Sequence, residues 1–397
     1  MHAQAALTAM PDGSECMKWW APEGKRIDGL QQGKDNVLCI RTFAASMHTA
    51  LTLDIKSYQL QFRHPFGIAH GIRSHTDTLF VRAGFMEQYG YGEAALPPYL
   101  GYHVDELARD FHRHFPAKME GADAIRQAMQ QLQGASSLVP VPLRTAVDMA
   151  MYDLFAQLTG RTVRQLFEIP EPSSVLCSYT LGFASVEETV ERIREAGDFR
   201  LFKVKLGSVN DKERIEAMLA EGARTFCVDA NQAWTSVQEA LVWMDWLQQR
   251  NCLFVEQPLP VLATSDYAAL YKSAPLPVFL DESVQNENDV ETLRGVCHGI
   301  NVKLVKCGGL EKGVRMVRLA NKYGLKVLIG CMSESTCGAM AAAQLSGWAD
   351  YVDLDGPRLI ANDPFSGASY NAGKLLLSSR PGTGAVLENA GLFAQNS

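Results

Sequence analysis

The sequence predicts an α/β protein, a (β/α)8 barrel with a smaller α+β capping domain, and three observations carry that reading. After Pro172, short β-rich runs alternate with amphipathic helical stretches, and eight strands can be marked, at 175–182, 200–206, 225–229, 252–256, 277–281, 299–304, 325–331 and 350–355. Charged residues interrupt or end these strands at steps of 24, 27, 25 and 22 residues, from Lys205 through Asp229, Glu256 and Asp281 to Lys303, about one βα unit each time. No Gly-x-Gly-x-x-Gly follows the first of these strands, which speaks against an open doubly wound sheet.

Composition bounds the function before any motif is read. The 397 residues are 47% hydrophobic and 20% charged, an ordinary globular balance that excludes a collagenous, coiled-coil or disordered chain. Lys and Arg number 37 against 44 Asp and Glu, a net charge of −7, so no bulk basicity points to nucleic acid. The nine cysteines are odd in number, sit largely in apolar runs and form no CxxC pair, which suits a reducing compartment better than a disulfide framework or a zinc site. No secretory leader pattern and no apolar run long enough to span a bilayer is present, so the expectation is a soluble cytoplasmic protein.

The elements follow in order. Residues 1–48 mix Gly, Pro, charge and isolated aromatics without a sustained period and read as an N-terminal extension. Alternation from Leu51 to Phe62 and again over Thr78–Arg82 predicts strands flanking a Gly- and His-rich loop from His64 to Thr76. Helical patterns over 104–133 and 140–159 complete an α+β capping domain at 49–172. The barrel then occupies 173–360, with helical stretches such as 186–195, 212–221, 236–249 and 312–323 between its strands.

The charges at the strand ends carry the chemistry. Asp229, Glu256 and Asp281, from three successive strands and with no His or Cys among them, make an all-oxygen set suited to Mg2+ or Mn2+ rather than Zn2+. Without a cation they would repel one another and drive at least one pKa upward. Lys203 and Lys205 are two apart and share the inward face of strand two. A lysine there beside another cation and a metal has its ammonium form disfavoured, and the neutral amine can serve as a general base. Lys303 comes from strand six, opposite strand two in an eight-stranded ring, so a substrate between them meets one amine on each face. Lys306 differs from Lys303 by an odd number and is expected to face away if the strand is regular. Asp353 and Asp355 share a face of strand eight and suit a substrate ammonium, with helix capping or pairing to Arg358 as the alternative. Cys331 and Ser333 share a face of strand seven, as wall residues or substrate contacts.

Together these residues resemble the enolase superfamily, in its muconate-lactonizing branch, and within it the dipeptide epimerases typified by L-Ala-D/L-Glu epimerase. The resemblance spans about residues 51–385 and includes the Ala146-Val-Asp-Met-Ala-Met-Tyr-Asp-Leu helix, Lys203-x-Lys205, the three carboxylates, Lys303 and Asp353-x-Asp355. It implies that residues 361–397 return to the capping domain. It also implies Mg2+ at Asp229, Glu256 and Asp281, and Lys205 and Lys303 as the two acid/base catalysts. Lys203 would help neutralise an enolate oxygen, Asp353 and Asp355 would hold the dipeptide ammonium, and Thr180, Cys331 and Ser333 would line the pocket. Arg73, in the loop with His70, is the candidate partner for a glutamate side chain, although a gapless reading puts Gly71 at the position where some Ala-Glu epimerases carry arginine. The implied activity is inversion of the C-terminal residue's α-carbon in a dipeptide such as L-Ala-L/D-Glu, in peptidoglycan recycling, by a cytoplasmic isomerase with neither nucleic acid nor membrane as partner and compatible with a homo-oligomer. A muconate cycloisomerase or o-succinylbenzoate synthase-like enzyme is the alternative within the superfamily, and a catalytically silent binding barrel the alternative outside it.

Overall fold

The computed structural model describes residues 50–394 apart from 69–70, 121–123, 134–137, 173–175, 223–224 and 262. The expected extension at 1–48 and His70 lie outside the described residues. The chain opens with β1 (Ala50–Ile68), β2 (Gly71–Phe85) and β3 (Gln88–Leu96), followed by α1 (Val104–His114), β4 (Lys118–Glu120), α2 (Ala124–Gln133) and α3 (Val141–Leu158). The four strands form an antiparallel sheet in the order β3-β2-β1-β4.

Two expectations change here. The stretch 64–76 is mostly paired strand rather than loop, because Phe66 to Ile68 resume pairing with Arg73 to Gly71 after a register shift beyond Gln61. The helix expected over 104–133 is two helices with a short strand between them, since Pro116 cannot continue α1 and Met119 pairs back to Leu51.

Helix α3 is buried on nearly every side, and β3 lies directly against it. Glycine is what permits that approach: a Cβ at Gly92 would stand 1.9 Å from the Ala146 carbonyl oxygen, and one at Gly90 2.2 Å from that of Ala150. Asp153 on α3 then accepts the backbone N–H groups of Tyr91 on β3 and Thr383 near the C-terminus, at 2.9 and 2.7 Å.

The second layer is the eight-stranded parallel barrel: β5 (Ser178–Leu181), β6 (Leu201–Lys205), β7 (Thr225–Asp229), β8 (Cys252–Glu256), β9 (Val278–Leu280), β10 (Gly299–Val302), β11 (Lys326–Gly330) and β12 (Tyr351–Asp353). A parallel bridge between Cys177 and Val352 joins the last strand to the first. The intervening helices are α4 (Val186–Ala196), α5 (Asp211–Ala220), α6 (Val237–Gln248), α7 (Thr264–Ser273), α8 (Glu287–Thr292), α9 (Leu310–Lys322) and α10 (Thr336–Ala343). Local chemistry sets their starts: Ser185 accepts the Glu188 N–H while the Glu188 side chain returns to the Ser185 N–H, and Asn286 with Asp289 repeats the device.

The tail crosses back to the cap. Phe62 bridges to Ile360, Tyr58 donates to the Asn362 carbonyl at 2.9 Å, and Phe393 packs beside Tyr91. Among the described residues no helix is long and apolar enough to cross a membrane.

Candidate active site

The barrel ladders set the site. Lys205 is paired laterally with Asp229, and Asp229 with Glu256. Glu256 pairs with Phe279, so Asp281 follows two residues later on the same face. Lys303 comes directly after β10, on the far side of the ring from β6. These groups stand at the C-terminal mouth, where loops of the capping sheet meet the barrel. The backbone is in the left-handed region just past two of them, with φ of 43° and 69° at Asn231 and Gln232 and 37° at Gln257, a region that asparagine enters readily and glutamine seldom.

Asp229, Glu256 and Asp281 are all buried, and one carboxylate oxygen from each lies within 4.8 Å of the others. The lysines hold these charges apart. Lys203 Nζ stands 2.7 Å from Glu256 Oε2, 2.9 Å from Asp353 Oδ2 and 3.2 Å from Asp229 Oδ2. Lys205 Nζ donates to Asp229 Oδ2 at 2.6 Å and Lys303 Nζ to Asp281 Oδ2 at 2.7 Å. Burial works against the carboxylates, yet Lys205 and Lys203 hold Asp229 below its usual range, and Lys303 and Lys306 do the same for Asp281. Glu256 goes the other way: burial and then the Asp229 charge push it up to about 7. Its Oε2, although close to Lys203, has no aligned hydrogen-bond donor. Three convergent carboxylates, one with an unsatisfied buried oxygen and a raised pKa, are the donor set that a hard divalent cation satisfies.

The disfavoured ammonium is expected beside a metal; with protein groups alone, the balance at Lys203 and Lys303 runs the other way. Burial opposes the charge on Lys203 and Lys303, but Asp353, Glu256 and Asp229 around the first, and Asp281 beside the second, hold both well above the ordinary lysine value. The facing carboxylates outweigh desolvation and neighbouring ammoniums.

A cleft of about 600 Å3, its open mouth included, lies over this centre. Lys205, Asp281 and Lys303 line it with Thr180, Cys331, Ser333, Asp353 and Asp355, while Phe66, Arg73, Pro97 and Tyr99 close it from the capping side. Arg73, expected in a loop, stands on β2, where its Nη1 donates to Thr76 Oγ1 at 2.9 Å. Lys203 is only 1% exposed and is not among the lining residues, so its expected reach to substrate runs through the carboxylates it binds. Asp353 accepts from Ser178 Oγ at 2.5 Å in addition to its Lys203 pair. Asp355 accepts the Thr180 N–H at 2.6 Å and hydroxyl at 3.1 Å, and burial followed by the Asp353 charge pushes it up to about 7. Neither capping by its side chain nor pairing to Arg358 holds Asp355; Arg358 donates its backbone N–H to the Asp355 carbonyl instead.

Lys306 is corrected most sharply. The strand ends at Val302 and the chain turns helically over Leu304–Cys307, so the odd spacing no longer turns the side chain outward. Lys306 is 7% exposed, and its Nζ lies 2.5 Å from Asp281 Oδ1. Other site residues have no mark in the sequence reading: Asn231 and Glu282 line the cleft, bonded to each other at 3.2 Å, and Asn301 donates to Glu256 Oε1 at 2.8 Å. Beside the site, Glu93 on β3 and Glu334 after β11 are both buried at the junction of cap and barrel.

The comparisons with known proteins agree with this architecture. The family model described as Enolase C-terminal domain-like matches residues 185–390. The chain belongs to the enolase superfamily. Among superfamily relatives it is 36% identical over 332 residues to an L-Ala-D/L-Glu epimerase of Bacteroides thetaiotaomicron, covering 83% of this chain and 86% of that one. It is 32% identical over 349 residues to a hydrophobic dipeptide epimerase of Roseobacter litoralis, covering 86% and 100%. A crystal structure of a dipeptide epimerase from Methylococcus capsulatus, complexed with Mg and the dipeptide L-Arg-D-Lys, superposes with a TM-score of 0.77 at 29% identity, over 86% of this chain and all of that one.

Proposed function

We propose that this enolase-superfamily chain is a Mg2+-dependent dipeptide epimerase, inverting the α-carbon of the C-terminal residue of a dipeptide such as L-Ala-L/D-Glu by two-base proton transfer. The observation that supports it most is the pair Lys205 and Lys303, on opposed strands, both lining one cleft and each bonded to a carboxylate of the buried triad. The dipeptide epimerases among its relatives support the substrate class.

Asp229, Glu256 and Asp281 are the residues to hold the cation. Mg2+ or Mn2+ bound there would supply fixed positive charge against the negative charge that proton removal develops, and would draw carboxylate charge away from the two lysines. Lys205 removes the α-proton from one face and Lys303 returns one to the other, the roles exchanging in the reverse direction. Lys203 balances Asp229, Glu256 and Asp353 from below the cleft. Asp355, next to Asp353, faces the dipeptide's α-ammonium, which would draw out its proton. Thr180 orients Asp355, and Cys331 and Ser333 form the adjoining wall. Arg73 reaches the cleft from the capping side, and an acidic C-terminal side chain is its natural partner. Seven free, buried cysteines among the described residues support a reducing cytoplasm as the site of action, and the family resemblance supports peptidoglycan recycling as the source of substrate.

Incubation with L-Ala-L-Glu and Mg2+ in D2O, followed by NMR, tests this. Deuterium is expected at the glutamate α-carbon of both epimers. Lys303→Ala is expected to slow epimerisation by about 10²–10⁴-fold while exchange from one epimer persists. Undiminished epimerisation from both directions in that variant would sink the two-base scheme. Rejection of every acidic C-terminal residue in a dipeptide panel would remove the Ala-Glu assignment and the role of Arg73 while leaving the chemistry in place.

A further inference from the structure

Each carboxylate of the triad has its two oxygens in different surroundings. One oxygen of each is tied to a donor other than the Lys203, Lys205 and Lys303 ammoniums. The Asn231 backbone N–H donates to Asp229 Oδ1 at 2.9 Å, Asn301 Nδ2 to Glu256 Oε1 at 2.8 Å, and Lys306 Nζ to Asp281 Oδ1 at 2.5 Å. The remaining oxygens, Asp229 Oδ2, Glu256 Oε2 and Asp281 Oδ2, are those that face Lys205, Lys203 and Lys303. Lys306 is committed to this one task. Its three donors match three acceptors, Asp281 Oδ1, the Asp281 carbonyl and the Asn301 carbonyl at 3.3 Å, and it does not line the cleft. Asn301 is fully buried on β10, two residues before Lys303 and so on the same inward face.

We infer that Asn301 and Lys306 are positioning residues that hold Glu256 and Asp281 as one-oxygen ligands, and that together with the Asn231 N–H they select a small octahedral cation over Ca2+. Mg2+ takes oxygen ligands one at a time at short distance and keeps its waters, whereas Ca2+ readily takes both oxygens of a carboxylate. Three carboxylates, each with one oxygen tied to another donor, offer a cation three single-oxygen contacts in exchange for the Lys203, Lys205 and Lys303 ammoniums. The sixth barrel unit thus supplies an acid/base lysine and, from the same stretch 301–306, two of the three groups that orient the ligands. The inference rests on the reading of the triad as a cation site.

Calorimetric titration of Mg2+ and of Ca2+ separately, into metal-free wild type, Lys306→Met and Asn301→Ala, tests it. A ratio of affinities is the readout because any change in net charge acts alike on two divalent ions. Wild type is expected to prefer Mg2+, and each variant to shift the Mg2+/Ca2+ ratio toward Ca2+ by about 10-fold, within the range that changes around metal ligands produce. Mn2+ bound to the variants should also give a broadened EPR line shape, which a purely structural role would leave unaltered. Thermal unfolding establishes which variants fold, and Asn301→Ala carries the test if Lys306→Met does not. Wild type binding neither ion would overturn the cation site itself. Wild type preferring Mg2+, with folded variants keeping its ratio, would overturn only the orienting role of Asn301 and Lys306.

Discussion

Two buried acidic clusters in this protein, built from the same side chains, behave in opposite ways. At the barrel mouth, Asp229, Glu256 and Asp281 are interleaved with Lys203, Lys205, Lys303 and Lys306. Where cap meets barrel, Glu93 and Glu334 have no lysine bonded to them among the described residues. Glu93 accepts from Thr78 and Ser335 hydroxyls and from the Ser335 and Gly338 N–H groups, and Glu334 from the Met332 N–H. Burial, and then the charge of Glu334, push Glu93 up to about 8, and burial pushes Glu334 to about 7. The first cluster keeps charge on Asp229 and Asp281 by matching it, with Glu256 alone pushed up to about 7, whereas both members of the second shed charge by holding protons. Depth of burial alone therefore does not mark a functional carboxylate, and the cations around it do.

The largest expected effect comes from unmatching the first cluster. Asp281→Asn leaves Lys303 and Lys306 without their anion and removes a cation ligand, so turnover is expected to fall by more than about 10³-fold with Mg2+ binding lost to calorimetry. Retained Mg2+ binding would show that the triad does not act as a unit. Lys203→Met should be next, since it removes the ammonium shared by three buried carboxylates: a loss of about 3–5 kcal/mol in urea unfolding without divalent cation, partly recovered when Mg2+ is added. No recovery would separate Lys203 from the cation site.

The smallest effect belongs to the second cluster and depends on pH. Glu93 and Glu334 keep their protons in the folded chain to about 8 and 7, while unfolded they release them near 4.5. Their contribution to stability is therefore full below about pH 4.5 and is lost as pH rises through 7 to 8. Glu334→Gln removes one of these titrations and eases the other, so the fall in melting temperature between pH 6 and 9 should shrink by about 2 °C relative to wild type. An unchanged slope would mean that the pair is ionised in the folded chain.

What the sequence made legible follows from periodicity. A period of two placed Lys203 with Lys205, and the βα step placed Asp229, Glu256, Asp281 and Lys303 at one height, because a parallel barrel repeats the same geometry at every strand. Lys306 was misread because that period holds only while the strand lasts, and β10, ending at Val302, gives way to a helical turn from Leu304. A signal was present: Gly308, at φ 96°, closes that turn as glycine commonly closes a helix. Asn301 carries no charge to stand out, although its parity with Lys303 was visible. Glu93 had no local signal at all, since its partner Ser335 lies 242 residues further along. The break between α1 and α2 was readable at Pro116, where apolar spacing was given too much weight.

The two walls of the cleft come from different stretches of chain. Phe66, Arg73, Pro97 and Tyr99 belong to the first hundred residues and contain no ligand or acid/base lysine, whereas Lys205, Asp281 and Lys303 lie more than a hundred residues later. A substitution in that early segment therefore reshapes one wall of the cleft while leaving the carboxylate triad and its lysines on their own strands.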